Sequence, residues 1–332
     1  MKRIKGTFFV ENYYLNDKIF CEILNEQKQY SLSKYIAVKE EFKKSNIELH
    51  TQDILPESDS DFTIYLDFLK PPKAKKSYLI VREPLIIIPD NHDPIKLKCF
   101  SKVFTWNDEL IDNVLFVKYY NQSYDFKKVE MINHLHKKEG YVLICSNKVS
   151  NRFGENYSLR DKVINFFENK NYNFDFYGIG WTERKFSSRL IEAFFNRLKI
   201  KRPKNKNYNN YRGIVDNKRV MSSKYSFEFA IENTNNIKGY VTEKIFDAFF
   251  SKTIPLYSGA PNIYDYIPRE CFINIDEFAS IEELVSYTKS LTTKEVNSYE
   301  RARDLFLSSP QINIFSSSYN AKIITSEIIN DF

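Results

Sequence analysis

Residues 225–278 read YSFEFAIENTNNIKGYVTEKIFDAFFSKTIPLYSGAPNIYDYIPRECFINIDEF. This stretch predicts a strand, a loop, a helix and a second strand. Apolar residues alternate with polar or small ones over 227–231, which is the period of a β-strand. The turn-forming run 232–236 then ends that pattern. Thr242 is a favourable N-cap for a helix whose apolar residues follow at helical spacing, and residues 253–257 predict the next strand.

The loop between the first strand and the helix is crowded with polar side chains, namely Glu232, Asn233, Lys238, Tyr240, Glu243 and Lys244. In a βαβ unit this loop lies at the carboxyl ends of the strands, where open α/β sheets bind ligands. A helix N-terminus with a lysine beside it suits an anion such as a diphosphate. The alternative interpretation is a solvated, charged loop between core elements.

The chain of 332 residues is long enough for two domains with their own cores. Its content of 42% hydrophobic and 28% charged residues is ordinary for a globular protein. The net charge of +6 is compatible with a phosphorylated ligand or with an anionic membrane surface. This charge does not by itself indicate a nucleic-acid partner.

The cysteines and the N-terminal segment predict a cytoplasmic location. Four cysteines lie far apart without a CxxC pair, which favours reduced thiols. The N-terminal apolar run is interrupted by Glu11 and Asn12 and is too short for a signal peptide. No run approaches the roughly 20 apolar residues of a transmembrane helix, so any membrane contact is expected to be peripheral.

Strands and helices alternate along the chain, which predicts two Rossmann-like domains, at residues 1–138 and 139–332. A helical pattern at residues 312–329 predicts a segment that crosses back to the first domain. Seven of the eight glycines lie at residue 140 or beyond. Backbone that approaches a ligand closely requires glycine, so the second domain is the better candidate for a nucleotide site, although caps and turns also use glycine.

Several short motifs do not establish a site. Gly178-Ile179-Gly180 follows a predicted strand but lacks the third glycine of a phosphate loop. Asp59-Ser60-Asp61 matches the DxD pattern of metal-dependent glycosyltransferases, yet it precedes a strand and is interpreted as a turn. His134 and His136 have no third zinc ligand nearby. The sequence contains no P-loop, GxSxG or HExxH motif, which argues against kinase, hydrolase and zinc-protease activity.

Residues 197–219 contain nine basic residues and one acidic residue, with Tyr208 and Tyr211 between them. Such a segment is typical either of a phosphate-binding or nucleic-acid-binding face or of a solvated, mobile loop. The mild overall charge favours the second interpretation. A nucleic-acid binder would show a steep dependence of its affinity on salt.

Residues 232–261 read ENTNNIKGYVTEKIFDAFFSKTIPLYSGAP. This segment closely resembles the donor-binding region of the α1,3/4-fucosyltransferases of glycosyltransferase family 10. It is most similar to the bacterial members that decorate lipopolysaccharide. The flanking KYSFEFAIEN and CFINIDEF also fit, and the resemblance covers residues 141–291. In the first half only Arg82-Glu83-Pro84 and the run Trp106-Asn107-Asp108-Glu109 are suggestive.

The resemblance implies an α/β GT-B fold, in which two Rossmann-like domains face each other across a cleft. The N-terminal domain would bind the acceptor and the C-terminal domain the GDP-sugar donor. The implied reaction is an inverting, metal-independent transfer of L-fucose from GDP-β-L-fucose to a hydroxyl of an oligosaccharide, in α1,3 or α1,4 linkage. No cofactor is expected, and a lipopolysaccharide or O-antigen glycan is the expected acceptor.

The resemblance also implies roles for individual side chains. The diphosphate would be held by Arg160 and Lys244. Ribose or fucose would be contacted by Glu243 and Tyr240, and Asn233 would lie near the transferred sugar. Departing GDP develops negative charge, and without a metal two cations must stabilise it. The alternative for Arg160 is an exposed helix residue.

Glu83 would be the general base. Pro84 disfavours a helical backbone at Glu83, so this carboxylate is expected on an extended segment at a strand end. Inversion in one displacement needs a carboxylate that takes the proton of the acceptor hydroxyl. The alternative is a strand-end carboxylate that pairs with a surface cation.

Two departures from the family leave the donor open. Ile231 stands where the family often has phenylalanine, and the loop 233–240 is slightly longer than in some bacterial relatives. Another GDP-deoxyhexose, or GDP-mannose, is therefore an alternative donor. A non-catalytic protein that binds nucleotide sugars is an alternative of a different class.

Overall fold

The computed structural model describes residues 3–27, 31–74, 76–132, 138–186, 188–198, 200 and 202–332. The chain divides into two compact units. The first unit comprises Met1–Glu130, Lys238–Val241 and Ser309–Phe332, and the second comprises Met131–Ile237 and Thr242–Ser308.

The first unit is built on a parallel sheet whose strands lie in the order β2-β1-β3-β4-β5-β6. The strands are β1 (Ile4–Phe9), β2 (Ile47–Thr51), β3 (Phe62–Leu66), β4 (Ser77–Ile80), β5 (Lys102–Thr105) and β6 (Phe116–Lys118). Helices α1 (Glu22–Gln27), α2 (Ser33–Lys44) and α3 (Pro94–Leu97) connect them. Every residue of β3 and β4 is buried, as expected for central strands of a parallel sheet that is covered on both faces.

The second unit is built on another parallel sheet, with the order β11-β10-β9-β7-β8. The strands are β7 (Lys138–Ile144), β8 (Phe174–Tyr177), β9 (Tyr225–Ile231), β10 (Ile254–Ser258) and β11 (Ile273–Asn274). The helices are α4 (Tyr157–Glu168), α5 (Arg189–Leu198), α6 (Lys218–Ser222), α7 (Glu243–Phe250), α8 (Ile281–Ser290) and α9 (Thr293–Ser308). No helix among the described residues is both long and apolar enough to cross a bilayer.

Stacked aromatic rings form much of the core of the second unit. The rings of Phe167 and Phe174 stack with their centroids 4.3 Å apart, and Tyr141 stacks on Phe227 at 5.4 Å. The predicted strand–loop–helix–strand order is confirmed as β9, α7 and β10. The parallel pairing of β9 with β10 places Phe229 opposite Leu256, so the loop after Ile231 lies at the carboxyl edge of the sheet.

Helix α10 (Ser317–Ile329) belongs to the first unit, which confirms the prediction that the C-terminal helical segment crosses back. The backbone N–H of Tyr120 donates to Asn320 Oδ1 at 2.8 Å. The hydroxyl of Tyr78 donates to Asp331 Oδ2 at 2.7 Å. Residues 310–315 form a 3-10 helix, and the extended backbone at Ser316 separates it from α10, so the segment is not one continuous α-helix.

The boundaries of the two compact units differ from the predicted domain ranges of 1–138 and 139–332. The chain passes from one unit to the other at different residues. The first passage falls between Glu130 and Met131, and the segments Lys238–Val241 and Ser309–Phe332 join the first unit. The histidines His134 and His136 lie outside the described residues. The acceptor and donor roles of the two domains stay predictions.

Candidate functional site

The buried carboxylate of Glu232 anchors the polar cluster at the carboxyl end of β9. Its side chain is fully buried, and its backbone N–H donates to Ser258 O of the neighbouring strand at 2.8 Å. Glu232 Oε1 accepts the backbone N–H of Thr242 at 2.8 Å, and Oε2 accepts the hydroxyl of the same threonine at 2.6 Å. Glu232 therefore ties the end of the strand directly to the start of α7.

Thr242 occupies the N-cap position of α7, as its residue type predicts, but its side chain does not cap the helix. Its hydroxyl points to Glu232 instead. The same hydroxyl accepts a hydrogen bond from Lys244 Nζ at 3.1 Å. The threonine thus links a buried acid to a basic side chain in the first turn, a place where the helix dipole disfavours a cation.

Lys244 is stabilised in that position by two carboxylates. Its Nζ lies 3.1 Å from Glu232 Oε2 and 3.1 Å from Glu243 Oε1. Burial lowers the pKa of the Lys244 amine, but the two carboxylates outweigh burial and raise it above its ordinary value. The lysine is therefore a permanent cation, and 22% of its side chain stays exposed to solvent.

The two acids around Lys244 differ in their protonation behaviour. Burial raises the pKa of Glu232, and Lys244 opposes that rise. Burial also tends to raise the pKa of Glu243, but Lys244 and Lys218 outweigh that effect and lower it to about 2. Glu243, with 38% of its side chain exposed, is therefore an ionised acceptor that can receive hydrogen bonds from ligand hydroxyls.

Arg160 and Asn233 are brought together at the same edge of the second sheet. Arg160 Nη2 donates to Ile231 O at 2.7 Å and to Asn233 Oδ1 at 3.0 Å. Only 4% of Arg160 is exposed, and its buried Nε has no hydrogen-bond partner among the described residues. This burial excludes the alternative of an exposed helix residue. The Arg160 guanidinium fixes the orientation of the Asn233 amide at the strand end, so this amide can be held in place for a ligand.

The loop that follows Asn233 is fixed by the segment before α4. Asn156 N–H donates to Asn233 O at 2.9 Å, and the Thr234 hydroxyl donates to Gly154 O at 2.7 Å. Gly154 has a φ of +76°, and a Cβ there would lie 2.1 Å from the side chain of Asn236. Glycine is therefore required at this position for the two segments to approach.

Glu83 lies in the first unit, at a bend in the segment that follows β4. Its carboxylate Oε1 lies 3.5 Å from Arg82 Nε, and 27% of the side chain is exposed. Arg82 also pairs with Asp67 at 3.1 Å and with Glu11 at 3.6 Å. The Arg82 guanidinium is thus shared by three carboxylates, those of Asp67, Glu11 and Glu83.

Tyr240 also lies in the first unit, because Lys238–Val241 packs there. Its ring packs against Trp106 with a centroid distance of 4.6 Å and a tilt of 49° between the ring planes, and only 2% of the residue is exposed. Gly239, at a φ of +81°, passes so close to Trp106 that a Cβ would lie 2.2 Å from the tryptophan carbonyl oxygen. The indole Nε1 of Trp106 in turn donates to Arg82 O at 3.3 Å.

Of the six predicted site residues, the structure thus brings two pairs together in the second unit, Arg160 with Asn233 and Glu243 with Lys244. Tyr240 and Glu83 lie in the first unit. Tyr240 packs against Trp106, and the indole of Trp106 donates to the carbonyl oxygen of Arg82, the residue before Glu83. Sequence reasoning counted Glu232 only as one member of a polar loop and did not single out Asp67. Both are acids that directly follow a buried strand, and this signal could have identified them.

The other motifs have structural explanations. Gly178, at a φ of +138°, allows close packing, since a Cβ there would lie 1.9 Å from Cys145 O. Asp59 ends a 3-10 turn before β3, and Asp61 accepts the Lys5 backbone N–H at 2.9 Å, as predicted for a turn. Among the described residues no group of three or more His, Cys, Asp or Glu could hold a metal ion. Metal independence itself stays a prediction.

Comparison with known families and structures identifies proteins that this chain resembles. The profile of the C-terminal part of glycosyltransferase family 10, the fucosyltransferases, matches residues 135–304, more than half of the chain. An α-(1,3)-fucosyltransferase of Helicobacter pylori is 42% identical over 85 residues, which are 26% of this chain and 17% of that relative. An α-(1,4)-fucosyltransferase of Arabidopsis thaliana is 45% identical over 69 residues, 21% of this chain and 17% of that relative.

A solved structure of an α1,3-fucosyltransferase with GDP aligns with this chain with a TM-score of 0.59 and 18% sequence identity. The alignment covers 99% of this chain and 92% of the fucosyltransferase chain. At this identity the likeness shows the fold. The predicted α/β GT-B class, with two Rossmann-like sheets, is therefore confirmed.

Proposed function

The chain belongs to glycosyltransferase family 10, and from this membership we propose that it is an inverting, metal-independent fucosyltransferase. In this proposal the donor is GDP-β-L-fucose and the acceptor is a hydroxyl of an oligosaccharide, in α1,3 or α1,4 linkage. The acceptor is a lipopolysaccharide or O-antigen glycan, and the enzyme works in the bacterial cytoplasm.

The observation that carries the proposal is the pair of fixed cations in the second unit, the buried Arg160 and the partly exposed Lys244, at the sheet edge matched by the family profile. Arg160 holds Asn233, and Lys244 is fixed between two carboxylates at the start of α7. Both cations are preorganised, so they reorganise little when negative charge develops on the departing diphosphate. The ionised Glu243 accepts hydrogen bonds from sugar hydroxyls beside them.

In the proposed mechanism Glu83 takes the proton from the acceptor hydroxyl as that oxygen attacks the anomeric carbon of fucose. The bond between this carbon and the β-phosphate oxygen breaks, and GDP leaves with the electron pair. Configuration inverts because a single displacement occurs. Arg160 and Lys244 stabilise the diphosphate without accepting a proton.

A donor screen tests the proposal. GDP-fucose, GDP-mannose and UDP-sugars are supplied with a panel of lipopolysaccharide-derived oligosaccharides, with and without EDTA, and release of nucleoside diphosphate is measured. We expect turnover with GDP-fucose, unchanged in EDTA, and thermal stabilisation by GDP. Turnover with GDP-mannose alone would support the alternative donor. Stabilisation by GDP without any turnover would support a non-catalytic binding protein.

We also propose peripheral contact with an anionic membrane surface through helix α5. Side chains at helical spacing are exposed there, with Ile191 at 42%, Phe194 at 54% and Leu198 at 52%. The surrounding segment is rich in lysine and arginine, and Arg197 is itself exposed. Apolar side chains on a basic segment are the combination that binds interfaces with anionic lipid.

Vesicle co-sedimentation tests this contact. The double substitution Ile191→Ser with Phe194→Ser is expected to weaken binding to vesicles that contain phosphatidylglycerol by about tenfold, because two apolar anchors are lost. The control is Ile95→Ser with Val114→Ser, which removes two exposed apolar side chains of the first unit without changing the charge and should leave binding unchanged. Equal binding of wild type to neutral and anionic vesicles, or no loss in the α5 variant, would contradict the proposal.

A further inference from the structure

A second carboxylate, that of Asp67, lies directly behind the segment that carries Glu83. Asp67 follows β3 and is fully buried. Its Oδ1 accepts the backbone N–H of Arg82 at 2.7 Å and that of Glu83 at 3.0 Å. The same oxygen accepts Asn91 Nδ2 at 2.7 Å, and Oδ2 accepts Arg82 Nε at 3.1 Å. Burial of a carboxylate is costly unless it is paired and hydrogen-bonded, and these four donors offset that cost.

The backbone of Asp67 is shaped for these contacts. Its φ is +61°, a left-handed conformation that aspartate and asparagine adopt far more readily than most residues. This conformation ends β3 at Leu66, and the Asp67 N–H still donates to Ile80 O of β4 at 2.9 Å. The turn directs the carboxylate across the sheet edge toward the end of β4.

The carbonyl groups of the same segment are held by other side chains. Arg82 O accepts Asn121 Nδ2 at 3.1 Å in addition to the Trp106 indole. Glu83 O accepts Asn91 Nδ2 at 3.0 Å and lies 3.1 Å from His92 Nε2. Both peptide groups around the Glu83 Cα are therefore fixed, while the Glu83 side chain reaches solvent.

We propose that Asp67 is the positioning residue of the general base: it fixes the backbone from which Glu83 projects and occupies Arg82, so that Glu83 keeps its basicity. The inference rests on the proposed function, in which Glu83 is the base. A proton acceptor must be held within hydrogen-bond reach of the acceptor hydroxyl, and small displacements lower the rate steeply. Asp67 itself touches no substrate.

The substitution Asp67→Asn tests this role, because asparagine tolerates the left-handed backbone and keeps one acceptor oxygen but removes the charge. We expect kcat to fall roughly 10- to 100-fold, with the KM for GDP-fucose and the thermal stabilisation by GDP unchanged. The acidic limb of the kcat–pH profile is expected to move to lower pH, because the base ionises more easily without a neighbouring negative charge.

The pH profile separates positioning from a structural role alone. A purely structural loss would reduce the active fraction and leave the pH of half-maximal kcat where it is in wild type. The substitution Asp90→Asn is the matched control, since this neighbouring aspartate is 43% exposed and pairs with Lys96. It should leave both kcat and the pH profile unchanged.

A second variant keeps the inference falsifiable if Asp67→Asn does not fold. Asn91→Ser removes the donor shared by Asp67 and Glu83 O without changing any charge, and kcat is expected to fall about fivefold or more at unchanged affinity for GDP. Wild-type kcat in Asn91→Ser and in Asp67→Asn would overturn the inference. Full activity of Glu83→Gln would instead show that the base is misassigned, which is a failure of the proposed function.

Discussion

Replacement of Glu83 by glutamine is expected to lower kcat about a thousandfold, because the amide has the shape of the carboxylate but cannot accept the proton of the acceptor hydroxyl. The cations that are proposed to bind the diphosphate lie in the second unit, so the Kd for GDP should not change. The measurements are GDP release from GDP-fucose with an accepted oligosaccharide, and titration of the thermal midpoint with GDP.

The control for this variant is Glu40→Gln, an exposed glutamate on α2 of the same unit. This substitution removes the same charge from the first unit and should leave kcat unchanged. If Glu83→Gln retained a tenth or more of the wild-type kcat, Glu83 would not be the general base. A thousandfold loss together with loss of GDP binding would indicate misfolding rather than chemistry.

Removal of the Lys244 cation is expected to have two separable effects. The substitution Lys244→Met should weaken GDP binding roughly 10- to 100-fold, since a charge-assisted contact to the diphosphate is lost. It should also destabilise the protein by about 3 kcal/mol at neutral pH, because the fully buried Glu232 loses its counter-ion. Calorimetric titration with GDP and denaturant unfolding measure the two effects independently.

The pH dependence of the unfolding free energy tests whether the instability comes from the carboxylates that lose Lys244, chiefly the fully buried Glu232. Burial already raises the pKa of Glu232 in the folded protein, and without Lys244 this pKa rises further. A carboxyl whose pKa is raised on folding contributes stability below its unfolded pKa and loses it as the pH rises through the folded pKa. Lys244→Met should therefore approach wild-type stability in acid and fall behind it as the pH rises.

A double variant separates the two effects. Adding Glu232→Gln to Lys244→Met should restore most of the stability, since no buried charge is left unpaired, but should not restore GDP binding. Lys294→Met, at an exposed position on α9, controls for the loss of a lysine. If the double variant regained GDP affinity, the cation would not contact the diphosphate.

The elements around the candidate site were predictable from sequence because each has a local signal. Strand β9, helix α7 and strand β10 follow directly from the alternating and helical patterns in residues 225–258, and the core packs their apolar faces as expected. Arg160 and Asn233 lie 73 residues apart, so no local pattern pairs them. Their pairing was predictable only through the resemblance to a family.

The positions of Asp67 and Tyr240 could not be predicted in the same way. The apolar pattern of the sequence predicts a strand over 62–68. A left-handed backbone at Asp67 instead ends the strand at Leu66 and turns the carboxylate toward Arg82 and Glu83. Residues 238–241 are flanked on both sides by the second unit, yet they pack in the first. Gly239 makes this possible, but glycine alone indicates freedom of the backbone and not the partner it approaches.

The assignment of residues 309–332 to the first unit bears on how the protein is made. Strands β3 and β4 receive contacts from this segment, including the Tyr78 hydrogen bond to Asp331 and the Phe332 ring against Phe62. A ribosome adds about 5–20 residues per second, so residues 1–130 wait roughly ten seconds or longer for these partners. The second unit ends at Ser308. Although most of it is encoded later, all of its segments are synthesised before residues 309–332, so it can complete its fold before the first unit does.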